Sequence, residues 1–157
     1  NQTIYSKIAK AIAHQTSAFY IGRGMDAYLA MEGALKLKEI SYIHTEAFPA
    51  GELKHGTIAL IAPTTPVIVI ATEPALFDKI KSNIEELKAR GAQIILISKS
   101  AELAKLADFT IEIPTVDLVE SALVTALPMQ LLAYYTADAL GQDVDKPRNL
   151  AKSVTVE

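Results

Sequence analysis

The sequence has no cysteine and no tryptophan in its 157 residues. Without cysteine it forms no disulfide, no thiolate metal site and no thiol nucleophile. Aromatic residues make up only 6% of the chain, so its core must come from Ala, Ile, Leu and Val, which a 50% hydrophobic content supplies. Strong charge of either sign is also missing. The formal net charge is −3, which gives no electrostatic case for binding nucleic acid or an anionic membrane. No secretory leader is recognisable. The longest apolar run, LVESALVTALPMQLLAYYTADAL, carries Glu120, Pro128, Gln130 and Asp138; it is too polar to span a membrane and is expected to be a buried helix. There is no internal repeat and no low-complexity linker, and the length is that of one domain. A soluble cytoplasmic protein is the expectation, and a start at Asn1 suggests a fragment of a longer chain.

What is present is alternation. Residues 3–14 repeat apolar positions with helical spacing. SAFYIG (17–22) is expected to be a short strand ending in glycine, and residues 25–41 a helix. Residues 42–56 are expected to be irregular with a short helix, and TIALIA (57–62) briefly extended. PVIVIA (66–71) and QIILIS (93–98) are continuous apolar runs, the mark of strands buried on both faces. Between them lies an amphipathic helix closed by Gly91. A short helix capped by Ser98 or Ser100 follows, then a weaker, edge-like strand at 109–114. The long helix 117–140 contains Pro128, which is expected to kink or break it. Strands alternating with helices predict an α/β sandwich with four or five parallel strands in a doubly wound, flavodoxin-like order. Its ligands belong outside the carboxyl ends of the strands. Residues 1–141 form the expected domain and 142–157 a C-terminal tail.

The stretch EGALKLKEISYIHTEAFPAGELKHG (32–56) concentrates titratable groups in an otherwise apolar helix. At about 100° per residue, Glu32, Lys36 and Glu39 fall within about 60° of one another. A helix apolar nearly all round is expected to be buried, and a charged stripe on it then faces a cleft or a partner. The plainer alternative is an i,i+4 pair on a solvated strip, worth a few tenths of a kcal/mol. His44 and Glu46 are placed to pair with each other. His55 lies between turn-forming residues in GELKHG, and His14 at a helix end favours the C-terminal dipole. No HxxxH-type spacing appears, so neither a metal nor a cofactor is expected. GRGM (22–25) offers a helix N-terminus to an anion, but a bare GxG is a weak signal. ATEP, after the next strand, puts an acid where a phosphate loop would place amides and hydroxyls.

EGALKLKEISYIHTEAFPAGELKHG, together with the terminal DKPRNLAKSVTVE, resembles the glucosamine-6-phosphate synthase (glutamine:fructose-6-phosphate amidotransferase) family. The likeness is to the second sugar-isomerase (SIS) half of its isomerase domain and covers essentially the whole chain. It implies an SIS-type αβα sandwich and roles for named residues. Glu39 matches the base that carries a proton between C2 and C1 of the open-chain sugar. His55 matches the ring-opening histidine, which in the family comes from a neighbouring subunit. Lys152 matches the lysine that forms a Schiff base with the fructose 6-phosphate carbonyl. Lys36 lines the same pocket, and Glu32 and Ala151 belong to substrate binding. The implied partners are a sugar phosphate, the first SIS half and a glutaminase domain of the same enzyme, and a second copy in a homodimer. Nucleic acid and membrane are not among them. Two other functions stay open: a non-catalytic sugar-phosphate-binding or oligomerisation module, and a stand-alone sugar-phosphate isomerase or deaminase. ATEP speaks against the isomerase or deaminase, and the joint presence of Glu39, His55 and Lys152 against the module.

Overall fold

The computed structural model describes residues 2–149. Its central strands are the continuous apolar runs: β1 (Ser17–Gly22), β3 (Pro66–Ala71) and β4 (Gln93–Ser98), numbered around an edge strand β2 (His44–Pro49). β5 (Phe109–Glu112) closes the other edge. All pairings are parallel in the order β2-β1-β3-β4-β5, the doubly wound arrangement expected. The chain reverses direction across the sheet between β1 and β3, where such folds open a crevice at the strands' carboxyl ends.

Alternate side chains of each strand enter two different cores, because successive Cβ atoms point to opposite faces. Tyr20, Ile68, Ile70, Ile95 and Ile97 meet three helices: α1 (Gln2–Ile12), α2 (Met25–Ser41) and α5 (Leu118–Ala139). Phe19, Ile21, Val67, Val69, Ile94 and Leu96 pack with Ile80, Ile84 and Leu87 of α3 (Phe77–Lys88) and Leu103 of the one-turn α4 (Ala101–Ala104). α2 can approach the sheet and α5 closely because position 33 is glycine. A Cβ there would stand 2.6 Å from both Met129 Sδ and Tyr20 Cε1.

Several local expectations are corrected. Residues 44–49 form β2 rather than irregular chain. The strand sits at an edge and only Thr45 is fully buried, so its sequence lacks a continuous apolar run. Residues 57–60 form a 3-10 helix, not an extended segment. None of the four is buried, so their apolar side chains gain none of the two-sided burial that marks β3 and β4. α5 runs unbroken through Pro128 and packs against α1 and α2. Neither α2 nor α5 is buried all round: Tyr28, Met31 and Leu35 on α2, and Val119, Leu123, Leu127 and Tyr134 on α5, are exposed. Other expectations are met. Ser100 is the cap, its Oγ accepting from the Leu103 amide at 3.3 Å, and Gly91 takes a positive φ of 81° just beyond α3. Among the described residues no helix is long and apolar enough to cross a membrane.

Candidate active site

The stripe predicted on α2 exists. Lys36 Nζ lies 3.4 Å from Glu32 Oε1 one turn before it and 3.4 Å from Glu39 Oε2 three residues after it. All three side chains keep a third to a half of their surface in solvent, so the stripe is open to a ligand without rearrangement. Partial desolvation works to lower the pKa of Lys36. The hydrogen bond to Glu32 and the charges of Glu39 and Glu32 outweigh it and hold that pKa above the usual lysine value. The two carboxylates thus favour the protonated, cationic form of Lys36. Two carboxylates against one ammonium leave a net negative charge, which suits proton abstraction.

α2 ends at Tyr42, which adopts a left-handed conformation with φ 63°, rare for an aromatic residue. Two contacts hold it. The Tyr42 hydroxyl accepts the backbone N–H of Arg148 at 2.9 Å, and the Arg148 guanidinium lies 4.0 Å from the Tyr42 ring centroid, within cation–π range. The chain arrives there through a turn in which Asp143 Oδ1 accepts the amides of Asp145 and Lys146. The base of the C-terminal tail is thus clasped to the residue that terminates α2, three positions beyond Glu39. Ala151 and Lys152 themselves lie outside the described residues.

His55 ends the 3-10 helix Ala50–His55 and points away from its own core, its side chain 73% exposed. Its Nδ1 is 2.7 Å from Glu52 Oε2. A carboxylate oxygen accepts, so Nδ1 is the donor in this contact, and Nε2 makes no hydrogen bond among the described residues. No hydrogen bond or ion pair joins His55 to Glu32, Lys36 or Glu39 among the described residues. His44 pairs with Glu46 at 3.0 Å, as its spacing suggested.

The crevice between β1 and β3 is filled by the chain's own acids. Asp26, in the first turn of α2 and only 3% exposed, accepts the Thr72 amide at 2.8 Å and the Thr72 hydroxyl at 2.7 Å. Burial pushes the Asp26 carboxyl above the usual range, against the opposing pull of these hydrogen bonds. Glu73 closes the other side: a Cβ on Gly24, whose φ is 58°, would lie 3.1 Å from Glu73 Oε2. The Thr72 amide of the ATEP loop is thus already bonded to a carboxylate, and Glu73 stands beside Gly24, which sets two acids of the chain against the anion site suggested for GRGM. Asp26 escaped the sequence reading because its partner is 46 residues away. An acid directly after GRGM was the one available signal. Among the described residues no three His, Cys, Asp or Glu side chains converge to hold a metal.

The model of the family described as "SIS domain" matches residues 11–138. Two proteins named glutamine–fructose-6-phosphate aminotransferase [isomerizing] align with nearly all of the chain. The one from Caldanaerobacter subterraneus subsp. tengcongensis is 52% identical over 159 residues, spanning 100% of this chain and 26% of that protein. The one from Brucella abortus is 58% identical over 154 residues, spanning 94% and 25%. The chain therefore corresponds to about a quarter of these relatives. Among solved structures, the C-terminal domain of glucosamine-fructose-6-phosphate aminotransferase from Francisella tularensis superposes with a TM-score of 0.85 and 37% identity, covering 92% of this chain and 42% of that one. A glucosamine-6-phosphate deaminase from Thermotoga maritima gives a TM-score of 0.74 at 25% identity, covering 98% and 45%. The family match takes in every strand of the sheet and the helix bearing the charged stripe, and on that ground the chain belongs to the SIS domain family.

Proposed function

We propose that this chain is the C-terminal SIS half of the isomerase part of a glutamine–fructose-6-phosphate aminotransferase. The enzyme makes glucosamine 6-phosphate from fructose 6-phosphate and ammonia, which a glutaminase domain elsewhere in the protein releases from glutamine. The observation that carries this reading is the clasp between Tyr42 and Arg148. It starts the tail beside the carboxyl end of α2, and Lys152 is four residues further on. Four extended residues reach at most about 14 Å, while Tyr42 lies about 4.5 Å along the helix axis from Glu39. One open-chain hexose fits between such groups.

The chemistry assigns each residue a task. The neutral Lys152 amine attacks the C2 carbonyl, a C–N bond forms and water leaves, giving an imine. Ammonia then replaces the lysine at C2. Glu39 takes a proton from C1 and returns it at C2, turning the ketose imine into an aldose amine. Lys36, held as a cation between Glu32 and Glu39, keeps the two carboxylates in position, and its positive charge disfavours protonation of a nearby Lys152. Glu32 and Ala151 border the sugar. His55, exposed with Nε2 free, is presented outward to serve ring opening in a neighbouring subunit.

The exposed apolar residues of α2 and α5 form an uncovered face of the kind that marks an interaction surface. The first SIS half and a second copy of the chain are the partners proposed for it. Deleting residues 149–157 from the full-length enzyme tests the reading. Turnover should be lost while the far-UV spectrum and thermal midpoint stay near those of the intact enzyme; unchanged turnover would refute the role of the tail.

A further inference from the structure

A cavity of about 280 Å³ opens beside the carboxyl end of β1, between Arg23, Gly51, Lys54, Lys79, Asn83 and Glu86. It lies on the α3 side of the sheet, opposite the face that carries Glu32, Lys36 and Glu39. Arg23 is its organised element. The Arg23 Nε donates at 3.0 Å to Asn83 Oδ1, and Asn83 is only 5% exposed. Because a guanidinium only donates, the Asn83 oxygen must face it, which leaves the amide NH2 as an unused donor in the wall of the cavity. The two terminal nitrogens of Arg23 have no hydrogen bond or ion pair among the described residues. One of them faces Gly51, where an added Cβ would stand 3.5 Å away, so a side chain at 51 would cover the guanidinium. Lys54 is committed to Glu86 at 2.8 Å, and Lys79 adds a further cation. Three positive groups against one carboxylate leave a net charge of about +2 around a pinned guanidinium fork, the arrangement that recognises a phosphate with two parallel hydrogen bonds.

We propose that this cavity binds the phosphate group of a small phosphorylated metabolite, at a site separate from the α2 carboxylates. Lys54 in its rim directly precedes His55, so an occupant there adjoins the segment that presents the histidine. The inference does not depend on the reaction proposed above.

The test is a titration of the 157-residue chain with inorganic phosphate and, in parallel, fructose 6-phosphate, followed by amide chemical shifts at constant ionic strength. Saturable shifts are expected at residues 51–54 and 79–83, absent with matched sodium chloride. Replacing the guanidinium in Arg23→Met should weaken binding about tenfold or more. Lys79 is exposed, so Lys79→Met keeps the fold and should weaken binding by a smaller factor. Glu39→Gln should leave binding in this cavity unchanged, which separates failure here from failure of the α2 site. Tighter binding of fructose 6-phosphate assigns the site to an ester; equal binding assigns it to free phosphate. Shifts that match those of chloride, that leave residues 51–54 and 79–83 unmoved, or that survive both cavity substitutions at those residues would overturn the proposal.

Discussion

Replacing Asp26 with alanine tests whether the crevice between β1 and β3 is locked from within. The carboxylate satisfies two donors, the Thr72 amide at 2.8 Å and the Thr72 hydroxyl at 2.7 Å. A buried donor left without an acceptor costs about 1–3 kcal/mol. The hydroxyl has a second oxygen nearby, Ser121 Oγ at 3.4 Å, so the Thr72 amide sets the cost. Removing a desolvated charge offsets part of it, leaving a net loss of about 1–2 kcal/mol. Urea unfolding followed by circular dichroism at pH 7 measures this as a shift in midpoint at constant slope. Asn at the same position still accepts an amide, and its NH2 can donate to the Thr72 hydroxyl, so Asp26→Asn should lie within about 1 kcal/mol of wild type. The two variants also separate in pH. Burial raises the native pKa of Asp26 above its ordinary value. Its contribution to stability is thus fullest below the unfolded pKa of about 3.9 and is lost as pH rises through the native value. Asp26→Asn should therefore gain on wild type between acid and neutral pH. An alanine variant within about 0.5 kcal/mol of wild type, the usual range of a surface change, would refute the lock.

Three other perturbations follow from the same geometry. Gly33→Ala should destabilise the chain by about 1–3 kcal/mol through overpacking against Tyr20 and Met129, read by thermal or urea melts. Tyr42→Phe removes the acceptor for the Arg148 amide, worth about 0.5–1.5 kcal/mol; in the full-length enzyme turnover should fall by up to about tenfold with little change in stability. Glu39→Gln should lower turnover by about 100- to 10,000-fold while leaving the fold intact, as measured by glucosamine 6-phosphate formation.

The centre of the sheet was legible because β3 and β4 and most of β1 are buried on both faces, and burial on both faces writes a continuous apolar run into the sequence. β2 was not legible: at the edge it mixes His44 and Glu46 with Ala47 and Phe48. TIALIA misled in the opposite sense, since β-branched residues describe a fit to a pleated surface, and residues 57–60 instead form a 3-10 helix with none of them buried. The spacing of Glu32, Lys36 and Glu39 gave their mutual contact directly, because i,i+3 and i,i+4 neighbours meet on any helix. The burial of that helix was overstated. Periodicity does not distinguish a face covered by the chain's own elements from one those elements leave exposed, and Tyr28, Met31 and Leu35 are of the second kind. Asp26 with Thr72, and Tyr42 with Arg148, join positions 46 and 106 residues apart. No local pattern encodes such pairs. Lys152 and Ala151 rest on the resemblance, with the clasp at Tyr42 marking where their segment begins.

The most direct measurement is chemical trapping of the imine. The full-length enzyme is incubated with fructose 6-phosphate, reduced with borohydride, digested and mapped by mass spectrometry. A hexitol 6-phosphate adduct on Lys152, lost when that residue is replaced by Arg, is the predicted result. An adduct on Lys36 instead, or turnover that persists with no lysine of this chain modified, would contradict the meeting of tail amine and α2 carboxylate around one sugar.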